Sequence, residues 1–401
     1  MTTTSAATAV PQPSLPRHLP YLDGLRALAA LFVVLHHSYI QVPITSADLP
    51  RGTLSIFRVL LLGHDAVDVF IVLSGFCLML PVINKNGDLV GGAVNFFRKR
   101  AHRILPPYYL ALGLSLLLIK FAVGHKTGTH WDCSLPVDKR SVIAHLILIQ
   151  DLSGRTNTII NHAMWSISVE WRIYFLFPLM VWLRRRWGSI WVTIGTLGIS
   201  YSVVVLSEVL SSPSLKAHVM TINPQYLGLF ALGAFAADLA FAPRFNNALL
   251  RNPNMVRTIL AVTTLAAIIA TKVTHIQIYS PATPIVDLFV GIWAAALLFA
   301  ASGTSIPLLN RFLSWKPLVT LGTFAYSIYL IHAPLIQVVW QYILPPLHGR
   351  PILSFLGLVF IGLPLILAAS YLFFLIGERP FLNTSKRKRI APEPNKDQSG
   401  S

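Results

Sequence analysis

Apolar runs of about 20 residues recur along this chain from Leu22 onward, separated by short loops that hold most of its Lys and Arg. A run of that length crosses the roughly 30 Å hydrocarbon core of a bilayer as one helix. In lipid every backbone N–H and C=O must be satisfied internally, so repeated runs of this length restrict the fold to a helical membrane bundle. Composition agrees: 54% of the residues are hydrophobic and 12% charged, whereas soluble domains carry about 25% charge. The net charge of +17 does not indicate a nucleic-acid partner, because the cations cluster between apolar runs as the positive-inside rule requires. Two cysteines, Cys77 in an apolar run and Cys133 in a loop, supply neither a disulfide framework nor a metal site.

Residues 1–19 are polar and Pro-rich, with no apolar core, and read as a disordered cytoplasmic tail rather than a cleavable signal. Residues 20–380 form the membrane domain, and the basic stretch 381–401 reads as a second disordered cytoplasmic tail. Spans are expected at Leu22–Ile40, His64–Ile83, Ile104–Val123, Met164–Leu183, Ile190–Ser207, Ile222–Phe241, Thr258–Thr271, Pro284–Ser302, Leu318–Trp340 and Ile352–Ile376. Ser141–Leu152 is apolar but too short to span, so it is expected to be re-entrant or interfacial. The loop 84–103, with Lys85, Arg98, Lys99, Arg100 and Arg103, is expected on the cytoplasmic side, and Pro106-Pro107 to open the third span. The expected fold is thus an all-α bundle of about ten transmembrane helices, with both termini in the cytoplasm.

Ionisable groups inside membrane helices are expensive, and their presence is a functional-site hypothesis by default. The first span, YLDGLRALAALFVVLHHS, has Arg26 at its mouth and His36 and His37 far inside. At 1.5 Å per residue Arg26 and His37 lie about 16 Å apart along the helix. Counted from the expected span ends, Asp68, Glu170 and His332 reach the same outer layer as His37. An imidazole beside a carboxylate suits general-base chemistry, because the carboxylate orients the ring and stabilises its protonated form. Arg26, Arg98, Arg100 and Arg103 form a second layer at the cytoplasmic face, and clustered guanidinium groups suit phosphate. A long phosphorylated carrier such as a coenzyme A thioester could be anchored at one layer and react at the other. The same cations would also serve topology alone, and His36 reads as structural.

The stretches LDGLRALAALFVVLHH, HDAVDVFIVLSGF, FFRKRAHRILPPYYL, MWSISVEWRIYFLFPL, FAYSIYLIHAPL and GERP together resemble the acyltransferase-3 family of integral-membrane O-acyltransferases. The resemblance runs in order from Tyr21 to about Pro380. It implies that Arg26 and His37 are the arginine and catalytic histidine of the first span. It also implies that Arg98 and Arg100 are the Arg-x-Arg motif tied to acyl-CoA use. Trp165, Ser166 and Glu170 match a Trp-Ser-x-x-x-Glu motif, and Tyr326, Ser327, Tyr329 and His332 a Tyr-Ser-x-Tyr-Leu-x-His motif. The second-span pattern Gly-Val-Asp becomes Ala66-Val67-Asp68 here.

The expectation is a membrane enzyme, in a bacterial cytoplasmic membrane, that moves an acetyl or short acyl group from acyl-CoA to a hydroxyl of a carbohydrate or glycolipid. His37, Asp68, Glu170 and His332 are the expected catalytic groups. Arg26, Arg98, Arg100 and Arg103 are expected to bind the donor, and Trp165, Ser166, Tyr326 and Tyr329 to bind substrate. No permanently bound cofactor and no metal are expected. The alternative reading is a transporter or exporter of an anionic or glycan-linked molecule, with His and Glu as a proton relay.

Overall fold

The structure is a computed structural model describing residues 18–42, 44, 59–210, 212–245, 252–273 and 283–382. The two expected tails fall almost entirely outside the described residues. Every regular element among the described residues is helical. The longer helices are α1 (Pro20–Gln41), α2 (Gly63–Asn84), α3 (Gly92–Leu118), the short α4 (Lys139–Leu146), α5 (Trp165–Trp187) and α6 (Ser189–Val209). They continue with α7 (Pro213–Ile222), α8 (Gln225–Phe241), α9 (Pro253–Val273), α10 (Thr283–Ser302), α11 (Pro307–Leu313), α12 (Lys316–Thr323) and α13 (Ala325–Val338). The last are α14 (Pro351–Gly357) and α15 (Leu363–Phe373). Eight helices of the described residues are long and apolar enough to cross a membrane, and a ninth is formed if α12 and α13 count as one bent span. Helix α1 is as long, but Asp23, Arg26, His36, His37 and Gln41 make it more polar than these.

Helices α1 and α2 run through the middle. α2 packs on α8, α10 and α1, while α12 and α13 cover the other side of α1. Small residues permit the closest crossing: a Cβ on Gly233 of α8 would lie 1.8 Å from the Val72 carbonyl oxygen, and one on Gly75 of α2 would lie 2.0 Å from that of Phe230. Close backbone approach of this kind substitutes for the hydrophobic force that helices in lipid lack. Large apolar side chains such as Trp191, Ile199, Leu265, Phe360 and Ile376 are exposed on the outside, as a lipid-facing surface requires.

Three expectations are corrected. Residues 92–103, expected in a loop, are the first turns of α3, which is helical without interruption to Val123. Pro106 and Pro107 therefore lie inside the helix. A membrane bundle tolerates proline inside a helix; one turn away the Tyr326 hydroxyl joins α13 to α3 by donating to the Ile104 carbonyl at 3.2 Å. The expected continuous span Leu318–Trp340 is broken at Phe324, with a 71° bend between α12 and α13. Gly322 sits there directly against the Asp23 backbone, so α12 is held by α1 while α13 turns into the core. The short segment is helical over Lys139–Leu146 and again, as a 3-10 turn, over Gln150–Leu152, and the Asp138 side chain caps its start by accepting from the Ser141 N–H at 2.7 Å.

Candidate active site

Two cavities lie end to end beside α1 and share Val67 and Tyr329 in their walls. The larger, about 460 Å³, is bordered by His36, His37, His64, Asp65, His130, His162 and Trp165. The smaller, about 140 Å³, is bordered by Arg26, Ser74, Cys77, Arg100, Arg103, Ser166, Glu170, Tyr174 and Tyr326. The chain thus builds a histidine chamber and an arginine chamber from opposite ends of the same helices.

In the histidine chamber the hydrogen bonds fix the role of each nitrogen. His332 Nδ1 lies 3.1 Å from the Ile328 carbonyl and 2.8 Å from that of Tyr329. Carbonyls only accept, so this nitrogen carries the proton and the His332 Nε2 lone pair is free. That lone pair faces His37 Nδ1 at 3.3 Å, and the same Nδ1 lies 2.9 Å from the Val33 carbonyl. His37 Nδ1 must therefore be the protonated nitrogen, which leaves Nε2 as a base. His332 is fully buried, whereas His37 is partly exposed to the chamber. His36 instead bonds the Leu60 carbonyl through Nδ1 at 2.7 Å.

Two further histidines come from the segment between α3 and α5, His130 from the start of a 3-10 turn (His130–Ser134) and His162 from a turn. His162 stands 5.0 Å from His37 between ring centroids, and His130 stands 4.7 Å from His162. The Ser134 hydroxyl accepts from the His162 N–H at 3.3 Å and lies 3.0 Å from its Nδ1. Asn161, just before, donates to the Leu330 carbonyl at 2.9 Å and so fastens this loop to α13. Burial, and then the neighbouring imidazoles, hold His162 well below the ordinary histidine range; burial lowers His130 as well. Both are neutral bases at physiological pH. Sequence reasoning by depth along apolar runs missed both, because they sit outside those runs. For His162 the available signal was its position three residues before Trp165 of the Trp-Ser-x-x-x-Glu motif.

The arginine chamber has a different chemistry. Arg26 donates to Asp23 Oδ1 and, at 2.9 Å, to Cys77 Sγ. Arg100 Nε is buried with no hydrogen-bond partner among the described residues. The Tyr174 hydroxyl donates to Glu170, and Ser166 Oγ lies 2.6 Å from the Tyr329 hydroxyl. Ser327 donates to Glu378 at 2.7 Å, which ties the Tyr-Ser motif of α13 to the Gly-Glu-Arg-Pro segment.

The expected residues divide between the chambers. His37 and His332 come together. Glu170 lies with Tyr174 and the arginines, and Asp68 with His64 and Asp287. Neither carboxylate is bonded to His37, whose ring is oriented by a carbonyl and by His332. Depth counting fixed their level but not their direction around the helix. Arg26, Arg100 and Arg103 line one chamber, whereas Arg98 is exposed and lies 3.5 Å from Asn95. With α3 helical here, residues two apart point to different faces. Trp165 borders the histidine chamber, stacked against His64 and Tyr226. Ser166 and Tyr326 border the arginine chamber, and Tyr329 borders both.

A family model described as an acyltransferase domain, acyltransferase-3, matches residues 19–375. The chain is 27% identical over 334 residues to Acyltransferase MdmB of Streptomyces mycarofaciens, covering 80% of this chain and 79% of that protein. It is 24% identical over 336 residues to peptidoglycan O-acetyltransferase OatA of Listeria monocytogenes, covering 80% of this chain and 50% of that protein. It is 24% identical over 349 residues to O-acetyltransferase OatA of Staphylococcus aureus, covering 82% of this chain and 52% of that protein. The chain thus spans about half the length of these two O-acetyltransferases. No solved structure matches it.

Proposed function

This chain belongs to the acyltransferase-3 family, and from that premise we propose that it transfers an acetyl or short acyl group from acyl-CoA to a hydroxyl of a carbohydrate or glycolipid. The observation that carries the proposal is the pair of chambers meeting at Val67 and Tyr329, one walled by arginines and the other by His37. Phosphates of the donor bind Arg26, Arg100 and Arg103 at the cytoplasmic end, with exposed Arg98 near the mouth. The thioester passes Tyr329 and reaches His37, about 16 Å along α1 from Arg26. An acceptor hydroxyl enters the histidine chamber and gives its proton to His37 Nε2 as its oxygen attacks the thioester carbonyl carbon. The tetrahedral adduct collapses, the C–S bond breaks, and the departing CoA thiolate takes the proton back from His37. Positive charge on His37 during the attack is shared with His332 through the Nδ1 bond. The names of both OatA relatives support acetyl as the group, and that of the Listeria relative, a peptidoglycan O-acetyltransferase, supports a glycan as the acceptor. The enzyme then works in a bacterial cytoplasmic membrane, with its histidine chamber open to the outer side.

The test of the donor is CoA release from acetyl-CoA by purified protein in detergent, with and without a glycan acceptor. Wild type should release CoA, and Arg100→Ala and Arg103→Ala should each raise KM for acetyl-CoA about tenfold or more, as loss of a charge-assisted bond implies. No release by wild type, or an unchanged KM in both variants, would remove acyl-CoA as the donor held there.

A further inference from the structure

Beside the histidine chamber lies a polar cluster to which the transfer steps proposed above assign no role. His64 and Asp68 stand in the first two turns of α2, and Asp287 at the start of α10. One ligand-capable atom from each lies within 4.8 Å of the other two. His64 Nε2 is 3.4 Å from Asp287 Oδ1 and 2.9 Å from the Tyr226 hydroxyl. Gln225 donates to Asp287 Oδ2 at 2.9 Å. Asp68 and Asp287 are both 0% exposed. Yet both oxygens of Asp68, and Oδ1 of Asp287, make no hydrogen bond of good geometry among the described residues, although Tyr226 and Asp287 stand close to Asp68. No Lys or Arg pairs with either carboxylate among those residues, and Asp65 adds a third acidic group nearby.

Burying an unpaired carboxylate costs several kcal/mol. His64 can balance one at most, and the starts of α2, α8 and α10 supply only fractional positive charge. We propose that His64, Asp68 and Asp287 bind a divalent cation in the wall of the histidine chamber. Two carboxylates and an imidazole are a donor set for ions of the Mn²⁺ or Zn²⁺ type. Gln225 fixes the outer oxygen of Asp287, as an orienting partner of a metal ligand does. His64 and Asp65 border the chamber, which gives the ion its way in. His37, His130 and His162 also bring ring nitrogens within 4.8 Å of one another. That trio contains no carboxylate, and His37 Nδ1 is already engaged, so nothing there calls for a cation. The bound ion clamps α2 to α10 and, through Gln225, to α8. The proposal stands apart from the transfer chemistry, and its test reads metal rather than turnover.

Full-length protein in detergent, stripped with EDTA and desalted, is titrated with MnCl₂ or ZnCl₂. Bound metal is counted by mass spectrometry, and thermal unfolding is followed in parallel. Wild type should take up about one ion per chain with an EDTA-reversible rise in Tm. Asp68→Asn and Asp287→Asn should weaken binding at least about tenfold and lose the rise in Tm. Gln225→Ala should weaken binding about 10–100-fold, and His162→Ala should keep it. No stoichiometric uptake by wild type would overturn the proposal and leave protons as what neutralises the carboxylates. Unchanged uptake in Asp287→Asn, or uptake lost in His162→Ala and kept in Asp287→Asn, would also overturn it. Should Asp68→Asn fail to fold, the wild-type titration and the Asp287 and Gln225 variants still decide.

Discussion

The ring of His37 is oriented by neighbours that were only partly legible in the sequence. Its own position, with those of Arg26 and His332, follows from counting along apolar runs, while the bond from His37 Nδ1 to His332 replaces the carboxylate that the sequence suggested. If His332 positions and supports His37, His332→Ala should lower kcat about tenfold, leave KM for acetyl-CoA unchanged and shift the acidic limb of the pH profile. His332→Gln, whose carbonyl can accept from Nδ1–H, should recover part of the loss; equal losses in both variants would argue against this role. His130 and His162 stayed hidden because residues outside the apolar runs have no depth to count. A second histidine outside the spans gives a stability test. Burial pushes His145 down to about 4, against about 6.5 in an unfolded chain. Below pH 6.5 the unfolded chain takes up a proton that the folded one refuses, so this stabilisation is full above 6.5 and disappears as pH falls towards 4. Asp151, raised by burial to about 6 despite the opposing pull of Arg172, has the opposite sign. His145→Asn should therefore flatten the acid-side fall of Tm in a thermal series from pH 7 to 4; an unchanged slope would contradict the assignment.

At the scale of elements, the membrane helices were legible because an apolar run of span length has few alternatives in lipid. Their ends and breaks were less so. Charge placed Arg98–Arg103 in a loop, but Arg, Lys and Ala are good helix formers, and α3 simply continues through them. The break at Phe324 depends on Gly322 meeting the Asp23 backbone, a tertiary contact that no local pattern announces. The α2–α8 crossing makes the same point about glycine. A Cβ at position 233 would collide with backbone, whereas one on Gly195 of α6 meets nothing within 4 Å. Gly233→Ala should destabilise the detergent-solubilised protein by about 1–3 kcal/mol, the usual range for overpacking. Gly195→Ala should be neutral or stabilising by up to about 1 kcal/mol. Similar Tm values for the two variants would contradict the packing described for α2 and α8.

For the whole molecule, the sequence indicated two layers of polar groups, and the structure resolves them into two chambers joined at Tyr329 and Val67. Which groups share a chamber depends on the azimuth of each helix. That is why Glu170 lies with the arginines and Asp68 with His64 and Asp287, although all were counted to the level of His37. Both chambers lie within the 19–375 stretch that the family model matches. The central claim is that transfer depends on His37 and not on its neighbour His36. Its most direct test is CoA release from acetyl-CoA by purified, folded wild type, His37→Ala and His36→Ala in the same detergent. The account predicts a fall of about 10²–10⁴-fold in His37→Ala, the usual contribution of a general base, and near wild-type turnover in His36→Ala. Robust turnover in His37→Ala, or an equal loss in both variants, would contradict it.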